Sequence, residues 1–251
     1  MPGWNPAYTA WMVLAVLVSW GLGRRSRRLV PLSRGERWVI AAAAFSGSML
    51  AARSPFAVAQ FAGLLGEDSW GGPWVGSGKT ILFGMVGGYA GVEAAKAALG
   101  LKLKTGDSLA MPVAAGIAVG RIACFVGGCC YGVPTTLPWG VLFHDNIPRH
   151  PTQLYEAAFH ALAAVALGWL HARGWFRLQL IKLYFLVYFA YRFVSEWWRP
   201  EPVLVGGLTF YQWSALLFSV LFLVLWRLDQ PAARALNSAP ASAPPTQPNP
   251  T

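Results

Sequence analysis

A chain of 251 residues that is 55% apolar and only 12% charged, with a mean hydropathy of +0.44, is too apolar for a soluble globular domain and reads as a polytopic membrane protein. A net charge of +10 would suggest nucleic acid in a soluble protein, but here the basic residues fall between apolar runs, so membrane lipid is the expected partner and nucleic acid is not. Three cysteines, Cys124, Cys129 and Cys130, are too few for a disulfide framework.

Seven apolar segments follow in chain order, each near the ~20 residues that a helical span needs: Ala7 to Gly23, Trp38 to about Gly66, Ile81 to Leu99, Leu109 to Val126, Leu154 to Leu170, Leu180 to Trp198, and Val203 to Trp226. The first precedes its basic cluster instead of following one, so it is expected to remain as an anchor. The second is long and is expected to break at Arg53, Ser54 and Pro55. Tryptophans recur where runs end, at Trp38, Trp74, Trp139, Trp197, Trp198 and Trp226, as interfacial belts require. Residues 1–229 are expected to form one integral membrane domain. From Gln230 to the end, Pro, Ala, Ser and Asn without periodicity predict a disordered cytoplasmic tail.

Alternate loops collect the positive charge. Arg24, Arg25, Arg27, Arg28, Arg34 and Arg37 follow the first run; Lys96, Lys102 and Lys104 the third; Arg173, Arg177 and Lys182 the fifth; Arg227 and Arg234 the seventh. Fourteen of the twenty basic residues therefore lie on one side, which assigns that side to the cytoplasm, with the N-terminus outside and the C-terminus inside. The fold class expected is an all-α membrane protein of about seven spans.

The other six basic residues, Arg53, Lys79, Arg121, Arg149, Arg192 and Arg199, sit at outer ends of runs, where topology does not explain them. Arg121 closes the fourth run within GRIACFVGGCCYG, Gly120 to Gly132. A guanidinium cannot shed its proton to suit an apolar setting, so it needs an anion, carbonyls or water. The glycines allow close backbone approach, either for an anion site or for ordinary helix packing. The cysteines are first read as small packing residues and second as reactive thiols. Metal binding with His150 has acceptable ligand types but lacks a paired CxxC spacing, so no metal and no cofactor is expected.

The fifth run opens with Arg149, His150, Pro151, Thr152, Gln153, Leu154, Tyr155 and Glu156. A helix start there offers N–H donors to a phosphate, and His150 beside it is a candidate base or anion donor. Glu156, one turn deeper, needs a partner, and Arg121 or Arg192 would serve. His160 is first read as a packed or paired histidine, and Glu93 as a local pair for Lys96. In the sixth run Tyr188, Arg192, Glu196 and Arg199 fall at steps of four, four and three, one stripe of a single helix, read as an anion clamp or pathway lining.

Together HPTQLYE at His150 to Glu156, RFVSEWWR at Arg192 to Arg199 and the segment Gly120 to Gly132 resemble the prolipoprotein diacylglyceryl transferase family, over roughly Ser46 to Trp226. The resemblance implies a bacterial inner-membrane enzyme that moves the diacylglyceryl group of phosphatidylglycerol to the lipobox cysteine thiol of a prolipoprotein. It implies catalytic roles for Arg121 and Arg192 and substrate contacts for Tyr188, Gln153, Glu196 and Arg199, to which the residues themselves add His150 as candidate catalytic base and Gly132 as a candidate substrate contact. Departures accompany it. The third run, TILFGMVGGYAG, lacks the family's usual histidine; Cys124 and Cys129 replace an asparagine and a glutamate; the first-span Arg-Trp-Tyr-Gly string is missing, with only Tyr8 and Trp11 nearby. Three readings follow: His150 serves as base, a related lipid group goes to another acceptor, or the chain is a non-catalytic lipid-binding or transport paralogue.

Overall fold

The protein is described here from a computed structural model that covers residues 5–26, 32–61 and 80–238. It is built of helices: α1 (Pro6–Ser26), α2 (Arg34–Phe61), α3 (Ile81–Ala98), α4 (Gly106–Val126), α5 (Thr152–Ala172), α6 (Leu180–Ser195) and α7 (Phe210–Ser238). The departures from the all-α expectation among the described residues are a small antiparallel ladder between α4 and α5, where β1 (Val141–Leu142) pairs with β2 (Pro148–Arg149), and isolated bridges at Pro134–Arg149 and Val203–Thr209.

Local chemistry sets the helix boundaries. Ser33 and Glu36 form a reciprocal capping box at the start of α2: the Ser33 N–H donates to Glu36 Oε2 at 2.7 Å, and the Glu36 N–H donates to Ser33 Oγ at 3.2 Å. The expected break at Arg53–Pro55 does not occur, because α2 runs through Pro55 to Phe61. Proline removes the N–H that would reach the Ala51 carbonyl, and the Ser54 hydroxyl takes that carbonyl instead, at 2.9 Å. The rest of that expected segment, and Lys79, lie outside the described residues. α7 likewise continues past the expected boundary at Gln230, through Pro231 to Ser238, and the remainder of the expected tail lies outside the described residues.

Polarity is inverted relative to a soluble fold. Lys96, Arg121, Glu156, Lys182, Arg192 and Glu196 are buried, while Val16, Leu17, Leu162, Val165, Leu217, Val220 and Leu228 are exposed. Three helices, over Pro6–Arg24, Gly106–Val126 and Phe210–Ala233, are each long and apolar enough to cross a membrane. Exposed apolar faces with charges turned inward are what a lipid solvent selects.

α4 lies between α1 and α5, α6 packs on α7, and α2 pairs with α3. Small residues let the last pair approach: a methyl group on Gly87 would fall 2.2 Å from Ala51 Cβ and 2.4 Å from the Gly47 carbonyl oxygen. Gly87→Val is therefore expected to separate α2 from α3 and destabilise the protein by about 1–3 kcal/mol, the range for overpacking, read as a lower thermal midpoint in detergent. The core between the other helices is aromatic, with Tyr184, Phe185, Tyr188 and Phe189 of α6 against Phe222, Leu82, Met85, Ala110 and Ala114.

One end of the bundle is closed by satisfied charges. Asp107 accepts the N–H groups of Leu178 and Leu180 and so caps α6. Lys182 and Lys104 both reach Asp229, at 2.6 and 2.9 Å, and Glu93 pairs with Lys96 as expected. The opposite end holds the chemistry-bearing residues.

Candidate functional site

The site grows from Glu156, which α5 carries one turn in from its start and which is 1% exposed. Arg121, from the last turns of α4, forms an ion pair with its Oε2. Arg199, just beyond the 3₁₀ turn Glu196–Trp198 that ends α6, donates Nη2 to the same oxygen at 2.8 Å. Tyr188 of α6 donates its hydroxyl to Oε1 at 2.7 Å. Four elements thus meet on one carboxylate, and the expectation that Arg121 would partner Glu156 is met.

Arg192 takes a separate acid. Its Nη2 lies 2.9 Å from Glu196 Oε2, with the guanidinium 4.8 Å from the centre of the Tyr211 ring. Thr209 donates its hydroxyl to Glu196 Oε1 at 3.1 Å. The stripe drawn on one helix is therefore divided between two acids, because the 3₁₀ turn after Ser195 swings Arg199 toward Glu156.

Charge does not balance here. Three guanidiniums, Arg121, Arg192 and Arg199, face two carboxylates, Glu156 and Glu196, which leaves one positive charge. Hydrogen bonding does not balance either: Arg121 Nε, Arg192 Nη1 and Arg199 Nε are buried donors with no partner among the described residues. A buried, unsatisfied donor costs roughly 1–3 kcal/mol, more when charged, so this group has unmet capacity to bond an anion.

The loop between α4 and α5 roofs this centre. Gly132 donates its N–H to the His150 carbonyl at 2.8 Å, and Val133 donates to the Trp198 carbonyl at 2.9 Å. A methyl group on Gly132 would fall 2.4 Å from the Trp198 oxygen, 2.8 Å from His150 Cβ and 2.8 Å from Thr152 Cγ2. Gly132 is thus a close-approach position between loop and 3₁₀ turn instead of a ligand contact. Gly132→Val is expected to detach the loop from Arg199, seen as faster proteolytic cleavage within 127–151.

One further expectation is widened and another corrected. Gln153 is fully buried and donates Nε2 to the Cys129 carbonyl at 2.6 Å, beside Thr152 Oγ1 on the Cys130 carbonyl at 2.9 Å, so it fastens the loop, while its Oε1 has no partner among the described residues. The start of α5 is not an open row of donors, since the N–H groups of Thr152, Leu154 and Tyr155 bond the His150 and Pro151 carbonyls. His150 sits at the roof with Nδ1 3.2 Å from the Tyr155 hydroxyl, which accepts from Trp139 Nε1 at 2.8 Å. Arg149 is taken up by Asp145 at 2.6 Å and lies over the Tyr131 ring.

Two neighbours complete the surroundings, and His160 is packed and paired as expected. His160, fully buried, places Nε2 3.8 Å from Glu156 Oε1 and Nδ1 2.8 Å from the Tyr184 hydroxyl, so it lies beneath the carboxylate. Its signal was the four-residue spacing from Glu156. Tyr8 of α1 packs at Gly127, where a methyl group would fall 2.9 Å from its ring. The cysteines are not core residues: Cys129 and Cys130 are exposed and Cys124 half-buried, because the chain leaves α4 at Gly127 and turns outward.

Similarity to known proteins bears on the same region. The family model described as prolipoprotein diacylglyceryl transferase matches residues 6–228. A phosphatidylglycerol–prolipoprotein diacylglyceryl transferase from Cupriavidus metallidurans is 37% identical over 147 residues, 55% of this chain and 53% of that protein. One from Nitrosomonas europaea is 37% identical over 143 residues, 52% and 51% of the two chains, and one from Clostridium tetani is 36% identical over 140 residues, 51% and 54%. The chain spans about half the length of these curated relatives.

Proposed function

The chain belongs to the prolipoprotein diacylglyceryl transferase family, and from that premise we propose that it transfers the diacylglyceryl group of phosphatidylglycerol to the cysteine thiol of a prolipoprotein lipobox. One observation carries the proposal: three buried guanidiniums present one surplus positive charge and three unpartnered N–H donors at one end of the bundle. A phosphodiester headgroup supplies the anion that such a set lacks.

In this reading Arg121, Arg192 and Arg199 hold the lipid phosphate, Glu156 fixes two of those guanidiniums, and Glu196 fixes the third. Tyr188 and the buried His160 hold Glu156 in turn. The precursor thiol loses its proton to His150, whose Nε2 is the accepting atom while Nδ1 faces Tyr155. The thiolate then attacks the glycerol carbon that bears the phosphate oxygen. A C–S bond forms, the C–O bond breaks, and glycerol phosphate leaves with its negative charge against the arginines. Gln153 and Gly132 hold the roof in register with the arginines.

The seven helices are read as spans in the bacterial inner membrane, with the start of the chain and the arginine centre on the outer side and Lys104, Lys182 and Asp229 at the cytoplasmic end. The membrane domain extends through the apolar window that ends at Ala233, and the Pro/Ala/Ser-rich remainder is its cytoplasmic tail. Reconstitution of the full chain with phosphatidylglycerol and a lipobox peptide is expected to yield lipidated peptide by mass spectrometry. Retention of the lipid without any transfer would instead favour the paralogue that binds without turnover.

A further inference from the structure

The transfer chemistry leaves Cys124, Cys129 and Cys130 unused, yet their three sulfur atoms lie within 4.8 Å of one another. The fold brings them there in a defined way. The Cys129 N–H donates to the Cys124 carbonyl at 3.1 Å, and the Gly128 N–H to the Phe125 carbonyl at 3.0 Å, which curls the chain back over the end of α4. Gln153 and Thr152 then fasten the carbonyls of Cys129 and Cys130. Cys130 is held at φ +64°, a left-handed conformation that non-glycine residues seldom adopt, and backbones of this kind cluster at functional sites.

We propose that Cys124, Cys129 and Cys130 form a binding site for one soft, thiophilic metal ion, with Cu(I) as its occupant. Metal–sulfur bonds of about 2.3 Å place three sulfurs of a shared ion roughly 4 Å apart, so the observed cluster needs only a small contraction. Thiolate donors select soft ions. Among the described residues no histidine, aspartate or glutamate joins the group, so the protein supplies three ligands. Zn(II) would need a water in the fourth position, whereas three sulfurs complete a trigonal set for Cu(I). Binding is an exchange: each thiol releases its proton to solvent as its sulfur takes the ion, and no oxidant is involved. A disulfide would join two of the sulfurs and leave the third without a role.

The test uses the full chain in detergent, reduced and freed of metal, titrated without oxygen with Cu(I) alone against a chromogenic chelator, and separately with Zn(II) alone. One Cu(I) per chain is expected, with thiolate-to-copper absorption in the ultraviolet and all three cysteines protected from alkylation by one equivalent. Cys124→Ser, Cys129→Ser and Cys130→Ser are each expected to weaken binding at least about a hundredfold, since soft-ion affinity resides in the thiolates. Alkylation of the wild type needs no variant and so is independent of whether the serine forms fold. Absence of stoichiometric Cu(I) binding, protection of two thiols or fewer, binding that survives the triple serine variant, or tighter retention of Zn(II) than Cu(I) would each overturn the proposal. Phosphatidylglycerol retention, measured on the metal-free chain, reports on the arginine centre separately.

Discussion

Replacing Glu156 with alanine is expected to destabilise the protein by about 3–5 kcal/mol, the range for removing one member of a buried ion pair. The carboxylate joins α4, α5, α6 and the turn beyond α6, and its loss leaves Arg121 and Arg199 facing each other without a counter-charge and Tyr188 without an acceptor. Thermal unfolding in detergent reads the effect. Arg121→Met placed on top of Glu156→Ala is expected to restore part of the loss, because it removes one stranded charge. A single-variant loss below about 1 kcal/mol, the worth of an exposed pair, would mean that water reaches the centre freely.

Arg192→Lys is expected to lower the rate of diacylglyceryl transfer about 10²–10³-fold, the effect of losing one fixed donor to a developing oxyanion. Lysine keeps the positive charge and so keeps Glu196 paired, which leaves the thermal midpoint close to that of the parent chain. What it removes is the planar fork and with it Nη1, a buried donor with no partner among the described residues. Transfer to a lipobox peptide, followed beside phosphatidylglycerol retention, separates chemistry from binding. An unchanged rate would release Arg192 from the phosphate and leave it as a strut for Glu196.

Much of this arrangement could be read from spacing, and the misreadings have physical causes. Arg121, Glu156, Arg192 and Glu196 stood out because a charge inside an apolar run needs a partner. Spacing on a continuous helix then put Arg199 on the stripe with Arg192, but the 3₁₀ turn after Ser195 redirects it to Glu156, and the local signal was Pro200, which disfavours helical backbone at Arg199. That Gln153 also fastens a loop was not legible in the motif that follows His150, because the path of that loop depends on distant hydrogen bonds. The break at Pro55 was inferred from the missing N–H, while Ser54 next to it held the remedy. The three thiols were weighed as metal ligands with His150 and set aside because a five-residue step across a helix end is not a paired-ligand spacing; the chain reversal at Gly127 and Gly128 brings their sulfurs together.

α5 and α6, which carry Glu156 and Arg192, are not among the helices long and apolar enough to cross on their own, whereas α1, α4 and α7 are. α5 and α6 each bring a charge near one end, Glu156 in the second turn of α5 and Arg192 in the last turn of α6, and an ionised group is costly in lipid without a partner. The order of synthesis meets this difficulty. Arg121 arrives first on α4, which the lipid accepts by composition; α5 follows with the acid that neutralises it; α6 comes last and adds Tyr188 and Arg199 to the same carboxylate. On the proposed reading of these helices as spans, biogenesis of the middle of the chain is a relay of charges, in which each newly made helix is retained by the one before it.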